Sequence, residues 1–345
     1  MEVVRLPGRP ADWDERIRHL HGKTLFHESC WHDHLLEIRP QATVMYCVIM
    51  DGDHPVGYFC ALTLRKLLLP VFGSPLPGTG TNYMGPMLEQ GADQGEAIRA
   101  LNLFFRRSRV AHVELASMLL DETKMVDEGF TVHRHVTHVV PLPEDEAVAR
   151  KALKSAARNR IKKATENGLV AEVVADPAVV NEFFDQFVEV YGKQGMVVPF
   201  GIERPTSLFN SLMPAGRLLP VRVRNGDDVI AAGLFPFDDR CVYFWGAASW
   251  LRAQALCPNE LLHWTVIREA IARGIPEYNM CGGNNQFKDK FGGADVPYNH
   301  YSRSFLPLLP QARRAYAFVH HKQLKLRGAM SGARERYARR AENEK

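Results

Sequence analysis

Hydrophobic and polar positions follow two periods along this chain, and the switches between them mark out its elements. Residues 44–50 and 55–64 are apolar runs rich in β-branched and aromatic side chains, joined by Asp51-Gly52-Asp53-His54, so a β-hairpin is predicted there. Upstream, residues 12–22 and 28–39 read as helices, with Trp31 and Leu35 forming an apolar i, i+4 pair on the second. A helix over 94–107 and a strand over 110–116 come next. Residues 131–140 then alternate as a strand does, which puts His133 and His135 on one face and His138 on the other.

A second run of elements repeats that order. Acidic residues after Pro141-Leu142-Pro143 open a long helix that Gly168 ends. At about 100° per residue, Lys151, Lys154, Arg158 and Lys162 fall on one side of it and Leu153, Ala156, Ala157 and Ala164 on the other. A strand over 169–174, helices over 178–193 and 205–214, and a three-strand meander over 218–224, 229–235 and 241–248 follow. Pro258 starts a helix with a wide apolar arc, Gly274 ends it, and a strand over 277–281 leads into a glycine-rich loop. The pattern predicts two α/β domains, 1–143 and 144–310, with a basic helical tail over 311–345.

At 345 residues the chain has room for two domains of ordinary size. No apolar run approaches the roughly 18 residues of a membrane span, and the start has no apolar signal segment, so a cytoplasmic protein without a transmembrane segment is expected. The six cysteines are scattered, with no C-x-x-C pair, and are expected to be reduced. The net charge of +4 hides an uneven distribution: residues 311–345 carry a net +7, and residues 147–163 hold seven basic residues and no acid. Two such segments suit a polyanionic partner, or a peripheral contact with a membrane through the tail.

The chemistry centres on residues 281–293. Four glycines, Gly282, Gly283, Gly292 and Gly293, bracket a basic and aromatic turn, where backbone N–H groups and the ammonium groups of Lys288 and Lys290 could gather around an anion or a developing oxyanion. A solvated lysine turn is the plainer reading of the turn alone. Cys281 lies close by, but no His or acid is placed by sequence to activate it, so it reads as a strand-end thiol. The Gly/Pro-rich stretch 73–85 lacks the phosphate-loop patterns and reads as a surface loop, with ligand contact as the lesser alternative. His133 and His135 could share a metal, but no third ligand is legible, and no metal is expected.

The basic helix 158–164 with Gly168, the segment 243–248, the helix 258–273 and the Phe287-Lys288 motif with its glycines resemble the Fem-type aminoacyltransferases. Those stand beside the acetyltransferase 6 (BioF2-like) proteins in the GNAT superfamily, and the resemblance spans about residues 20 to 310. It implies two GNAT-like domains, each a mixed β-sheet flanked by helices, with the acceptor in the cleft between them. It also implies transfer of an aminoacyl group from aminoacyl-tRNA to an amine of a cell-wall or surface-polysaccharide precursor, with Lys288 stabilising the tetrahedral intermediate beside Phe287. Tyr243, Asp289, Glu260 or solvent would take the amine's proton. Arg158, Lys162 or Lys163 would meet phosphates, and Trp245, Asn259, Gly282, Gly283 and Lys290 join them as candidate substrate contacts.

The chain has neither the inserted coiled-coil hairpin of the peptidoglycan enzymes nor a clear R/Q-x-x-G-x-G/A loop for CoA pyrophosphate. The second absence favours aminoacyl-tRNA over acyl-CoA as the co-substrate, with no cofactor held permanently. Two other readings stand beside this one: an acyl-CoA-dependent N-acetyltransferase acting on an amino sugar or amino acid, and a non-catalytic RNA-binding protein that uses the basic helix and tail.

Overall fold

The computed structural model describes residues 1–66 and 69–306, so the predicted tail over 311–345 lies outside the described residues. The first half runs β1 (Glu2–Arg5), α1 (Trp13–Ile17), α2 (Ser29–Ile38), β2 (Thr43–Asp51), β3 (His54–Lys66), β4 (Leu69–Ser74), β5 (Met87–Leu88), α3 (Gln94–Arg107), β6 (His112–Ser117), α4 (Glu122–Asp127) and β7 (Thr131–Pro141). The second runs α5 (Glu146–Ala152), α6 (Ser155–Glu166), β8 (Val170–Val173), α7 (Ala178–Lys193), α8 (Glu203–Leu212), β9 (Leu218–Asn225), β10 (Asp228–Pro236), β11 (Cys241–Tyr243), β12 (Gly246–Ser249), α9 (Pro258–Ala272), β13 (Glu277–Asn279) and β14 (Ala294–Ser304).

Local chemistry explains the best-defined helices. Asp93 accepts the Glu96 N–H at 3.0 Å and Asp145 the Val148 N–H at 2.8 Å, caps that each contribute about 1 kcal/mol to α3 and α5. Ala97, Ile98, Leu101 and Phe105 form the buried stripe of α3. α9 is buried over nearly its whole circumference, from Leu261 through Ala270, as its apolar arc requires.

Strand pairing does not follow the two halves. One mixed sheet runs β1-β2-β3-β4-β6-β14-β7-β13-β11, with β5 attached to β3, and a second runs β12-β10-β9-β8. β14, from the end of the described chain, lies between β6 and β7 and is antiparallel to both. β13 continues the same sheet by pairing antiparallel with β7. The expected third strand of the meander is two strands: β11 pairs parallel with β13, and after a bend at Phe244 and Trp245 β12 pairs with β10 in the other sheet.

The long basic helix is also two. Leu153 and Lys154 are extended (ψ 144° and 153°), which buries Leu153 and lets the Lys154 N–H reach the Lys290 carbonyl at 3.0 Å. Ala157, Ile161 and Ala164 remain the buried face of α6, while Ala156 is exposed.

The halves share a core. Trp13, Phe26 and Trp31 pack in one cluster with Phe183, Leu208, Leu234 and Tyr243, and α2 lies on α8. Across that joint His34 Nδ1 meets Ser207 Oγ at 2.9 Å, and Asp238 accepts the Leu25 N–H at 2.5 Å. Arg217 donates to both Glu28 and Asp239 at 2.8 Å. Truncating a fully buried tryptophan such as Trp31 costs about 3–5 kcal/mol, so this joint is a structural core and not a sliding surface.

Candidate active site

The loop after β13 sits where the first half meets the second. Cys281 opens it in a left-handed backbone conformation (φ 55°). Its N–H donates to Asn279 Oδ1 at 2.8 Å, and its Sγ accepts from Asn82 Nδ2 at 3.0 Å. Asn279 is buried and bridges the halves, accepting from Thr137 Oγ1 on β7 and donating to the Tyr83 hydroxyl, both at 2.5 Å. At the far end Gly293 (φ 84°) passes so close to β7 that a Cβ on it would stand 2.3 Å from the Val139 carbonyl oxygen, so only glycine closes the loop there.

Lys288 lies inside this loop and is largely buried, 9% exposed. Its ammonium donates to the Cys281 carbonyl and, at 3.1 Å, to the Gly283 carbonyl. Among the described residues it has no third acceptor, so one N–H remains for a ligand. Burial pushes the Lys288 ammonium below the usual lysine range, with Cys281 and Asp295 pulling the other way.

Across the seam lies the Gly/Pro-rich stretch. Thr79 Oγ1 donates to Leu76 O at 2.8 Å, Trp31 Nε1 donates to Thr81 Oγ1 at 3.0 Å, and Arg39 approaches Gly78 O at 3.5 Å. Against this loop stands Arg204 of α8, its guanidinium 5.2 Å from the Phe200 ring centroid. No carboxylate pairs with Arg204 among the described residues, and its buried Nε has no hydrogen-bond partner. Burial pushes its pKa down, and the neighbouring positive charge of Arg39 adds to that. A half-buried guanidinium beside a second cation and without an acid is costly. Such a pair is what an anionic ligand group would neutralise.

The other predicted residues separate. Lys290 does not join Lys288: it pairs with Glu260 at 2.7 Å, which Arg160 also reaches at 3.2 Å, and it lies 5.0 Å from the Phe287 ring centroid. Phe287 packs with His263 and Phe291 at the edge of the second-half core, at ring separations of 5.0 and 5.4 Å. Tyr243 is buried between the halves, 4.7 Å from the Phe26 ring, and burial holds its hydroxyl far above the usual tyrosine range. Trp245 joins Phe183 and Phe200 beside the Arg204 seam. Gly282 lies next to Lys288, with a Cβ there 3.6 Å from the ammonium nitrogen, and Gly283 supplies one of its acceptors. Asn259 donates to Ser249 Oγ at 3.0 Å in the first turn of α9.

The basic stripe is mostly paired. Lys154 meets Asp289 at 2.7 Å, Lys162 meets Glu166 at 3.5 Å, and Arg158 folds onto the carbonyls of Lys151 and Leu153, while Lys163 is exposed. Cys281 is no activated thiol, because burial raises it above the usual range. Arg39, Arg204, Asn82 and Asn279 were missed from sequence. The only signal for them was the glycine-rich stretch, and what faces it is decided by tertiary packing.

Residues 151–289 match the family model described as acetyltransferase (GNAT) domain. The fold is similar to the crystal structure of FemX, at TM-score 0.68 and 11% identity, covering 87% of this chain and 97% of that one. It is also similar to the C-terminal domain of a putative lysylphosphatidylglycerol synthetase from Agrobacterium fabrum, at TM-score 0.54 and 11% identity, covering 90% and 94%. L-PGS from Bacillus licheniformis matches at TM-score 0.53 and 10% identity, covering 89% and 96%. A comparison with curated proteins gives no match.

The match gives residues 151–289 as an acetyltransferase (GNAT) domain, so the chain carries an acyltransferase domain. Around that domain the fold of the chain is similar to that of FemX.

Proposed function

We propose that the protein forms an amide by moving an aminoacyl group from aminoacyl-tRNA to the amine of an acceptor that bears a phosphate or another anionic group. A cell-wall or surface-polysaccharide precursor has that chemistry. The observation that carries this reading is the unpaired Arg204 beside Arg39, on the same seam as the Lys288 loop. The anion would anchor the acceptor there, and an activated ester then needs only a neutral amine held near the carbonyl and a donor for the oxyanion. Lys288, with one N–H uncommitted, supplies that donor. Asp289 is held by Lys154, Glu260 by Lys290 and Arg160, and Tyr243 is buried. So as the C–N bond forms and the ester C–O bond breaks, the amine's proton passes through solvent and the released tRNA ribose oxygen takes one up.

The start of α9 favours this donor over acyl-CoA. Helix N-termini attract phosphates, but here Pro258 removes an N–H and the buried Glu260 carboxylate already occupies the first turn. Acyl-CoA remains the second reading, since the matched family is described as an acetyltransferase domain.

The test uses the purified full chain with charged tRNA or with acetyl-CoA, each offered amine acceptors with and without a phosphate, and mass spectrometry of the products. Amide formation from charged tRNA, faster on the phosphorylated acceptor, is expected. Transfer from acetyl-CoA alone would replace the donor, and transfer indifferent to the phosphate would remove the anion from the proposal.

A further inference from the structure

One buried residue of the first half grips the Lys288 loop at both ends. His138, on β7, is 1% exposed. Its backbone N–H donates to Gly282 O and its carbonyl accepts from Met280 N–H, both at 2.8 Å. Its ring Nε2 meets Gly292 O at 2.8 Å, and Nδ1 meets Asp295 Oδ1 at 2.9 Å. The same Asp295 oxygen accepts the Asn284 N–H at 3.0 Å. The contacts therefore fall at 280–284 and at 292–295, with Lys288 midway between.

The ring's partners are a carbonyl and a carboxylate, which only accept. One ring therefore joins the strand to both the Gly292 carbonyl and the Asp295 side chain. The middle of the loop has anchors of its own, the Lys154 N–H on the Lys290 carbonyl, Lys290 on Glu260 and the buried Phe291 ring, and β14 pairs with β7 from Ala294 onward, but the turns between those anchors are glycine. Gly282, Gly283, Gly292 and Gly293 leave the backbone with wide freedom, and Asp289 reaches out of the loop only to Lys154, whose side chain is more than half exposed. We propose that His138 is a positioning residue for Lys288: by tying Gly292 and Asp295 to β7 it fixes the loop whose Cys281 and Gly283 carbonyls orient the ammonium. The proposal rests on Lys288 being the oxyanion donor. A displacement of about 1 Å at such a donor costs on the order of 100-fold in rate, so the grip matters even though His138 touches no reacting atom.

The test compares H138A, H138N and H138Q in the full chain, each checked for its thermal midpoint and assayed well below it. Asparagine can keep the bond to Asp295 and glutamine the bond to Gly292, so these two guard against failure of the alanine variant to fold. Amide hydrogen exchange over 282–295 reads the grip without reference to activity. In H138A, exchange there is expected to rise by about tenfold or more. The turnover number is expected to fall about 100-fold with the acceptor KM nearly unchanged, and either amide variant is expected to recover part of the loss. Adding H138A to K288A is expected to change nothing further, because the residue acts through that lysine. Unchanged exchange over 282–295, or an H138A loss that adds in full to that of K288A, would overturn the proposal. Intact turnover in K288A overturns the Lys288 reading instead, and the exchange result still decides whether His138 holds the loop.

Discussion

Arg204 and Gly80 belong to opposite halves of the chain and meet across the seam, so closely that a Cβ on Gly80 would stand 2.6 Å from Arg204 Nη2. Gly80 also has φ 76°, a conformation L side chains rarely adopt. Gly80→Ala is therefore expected to lose about 1–2 kcal/mol of stability in a denaturant titration and to push the guanidinium aside. Gly78→Ala is the control: its φ of 77° carries the same backbone penalty, but the nearest atom, Arg39 Nη2, is 3.9 Å away. A raised acceptor KM in the first variant and not in the second would isolate the contact.

Arg204 itself should trade stability for binding. Replacing an unpaired, half-buried cation with methionine keeps the stem and removes the desolvation cost, so Arg204→Met is expected to raise the melting temperature while weakening the acceptor by about 10- to 100-fold in KM. Arg204→Lys should restore only part of the binding, since lysine lacks the planar fork. A variant that is less stable and binds normally would make Arg204 a packing residue.

Lys288→Ala is expected to reduce the turnover number about 100-fold to 1000-fold, the usual loss for one oxyanion donor, with little change in acceptor KM. Because its ammonium also ties Cys281 to Gly283, the variant needs a thermal melt beside the kinetics. A matched fall in stability and rate at a temperature where the protein is partly unfolded would not count as catalytic.

Acid should unfold the protein early. Burial lowers His27 to about 4 and His32, His34 and His263 to about 3, against an ordinary value near 6.5. Below about pH 6.5 the unfolded chain takes up these four protons and the folded one does not, so stability falls as pH falls, by about 1.4 kcal/mol per unit for each group until its folded value is reached. By pH 5 that is about 2 kcal/mol for each histidine, enough in sum to rival the stability of an ordinary domain. Circular dichroism against pH should show loss of structure setting in between about pH 6 and 4, and His34→Asn should shift it to lower pH.

Elements with a strong internal period were legible in the sequence. The period predicts helices over 94–107 and around 178–193, and the structure has both, because one face of each is apolar. β14 was not read at all. Asp295, Asn299, His300, Ser302 and Arg303 give it little apolar signal, Pro297 interrupts it, and its partners lie about 160 to 190 residues away. The loop 281–293 was found because four glycines are visible locally. That Lys290 turns to Glu260 while Lys288 turns to carbonyls depends on where α9 packs, which no spacing in the loop records. The paired state of the basic helix was hidden for the same reason, since Asp289 lies 135 residues from Lys154.

The placement of β14 between β6 and β7 also has a bearing on biosynthesis. When a ribosome has released only the first half, two strands that will end up as neighbours of a third wait with open backbone edges, and nothing made so far can occupy the slot. The amino-terminal half can finish its sheet only after translation has passed Ser304, so expressing it alone would yield a sticky fragment and not a smaller enzyme.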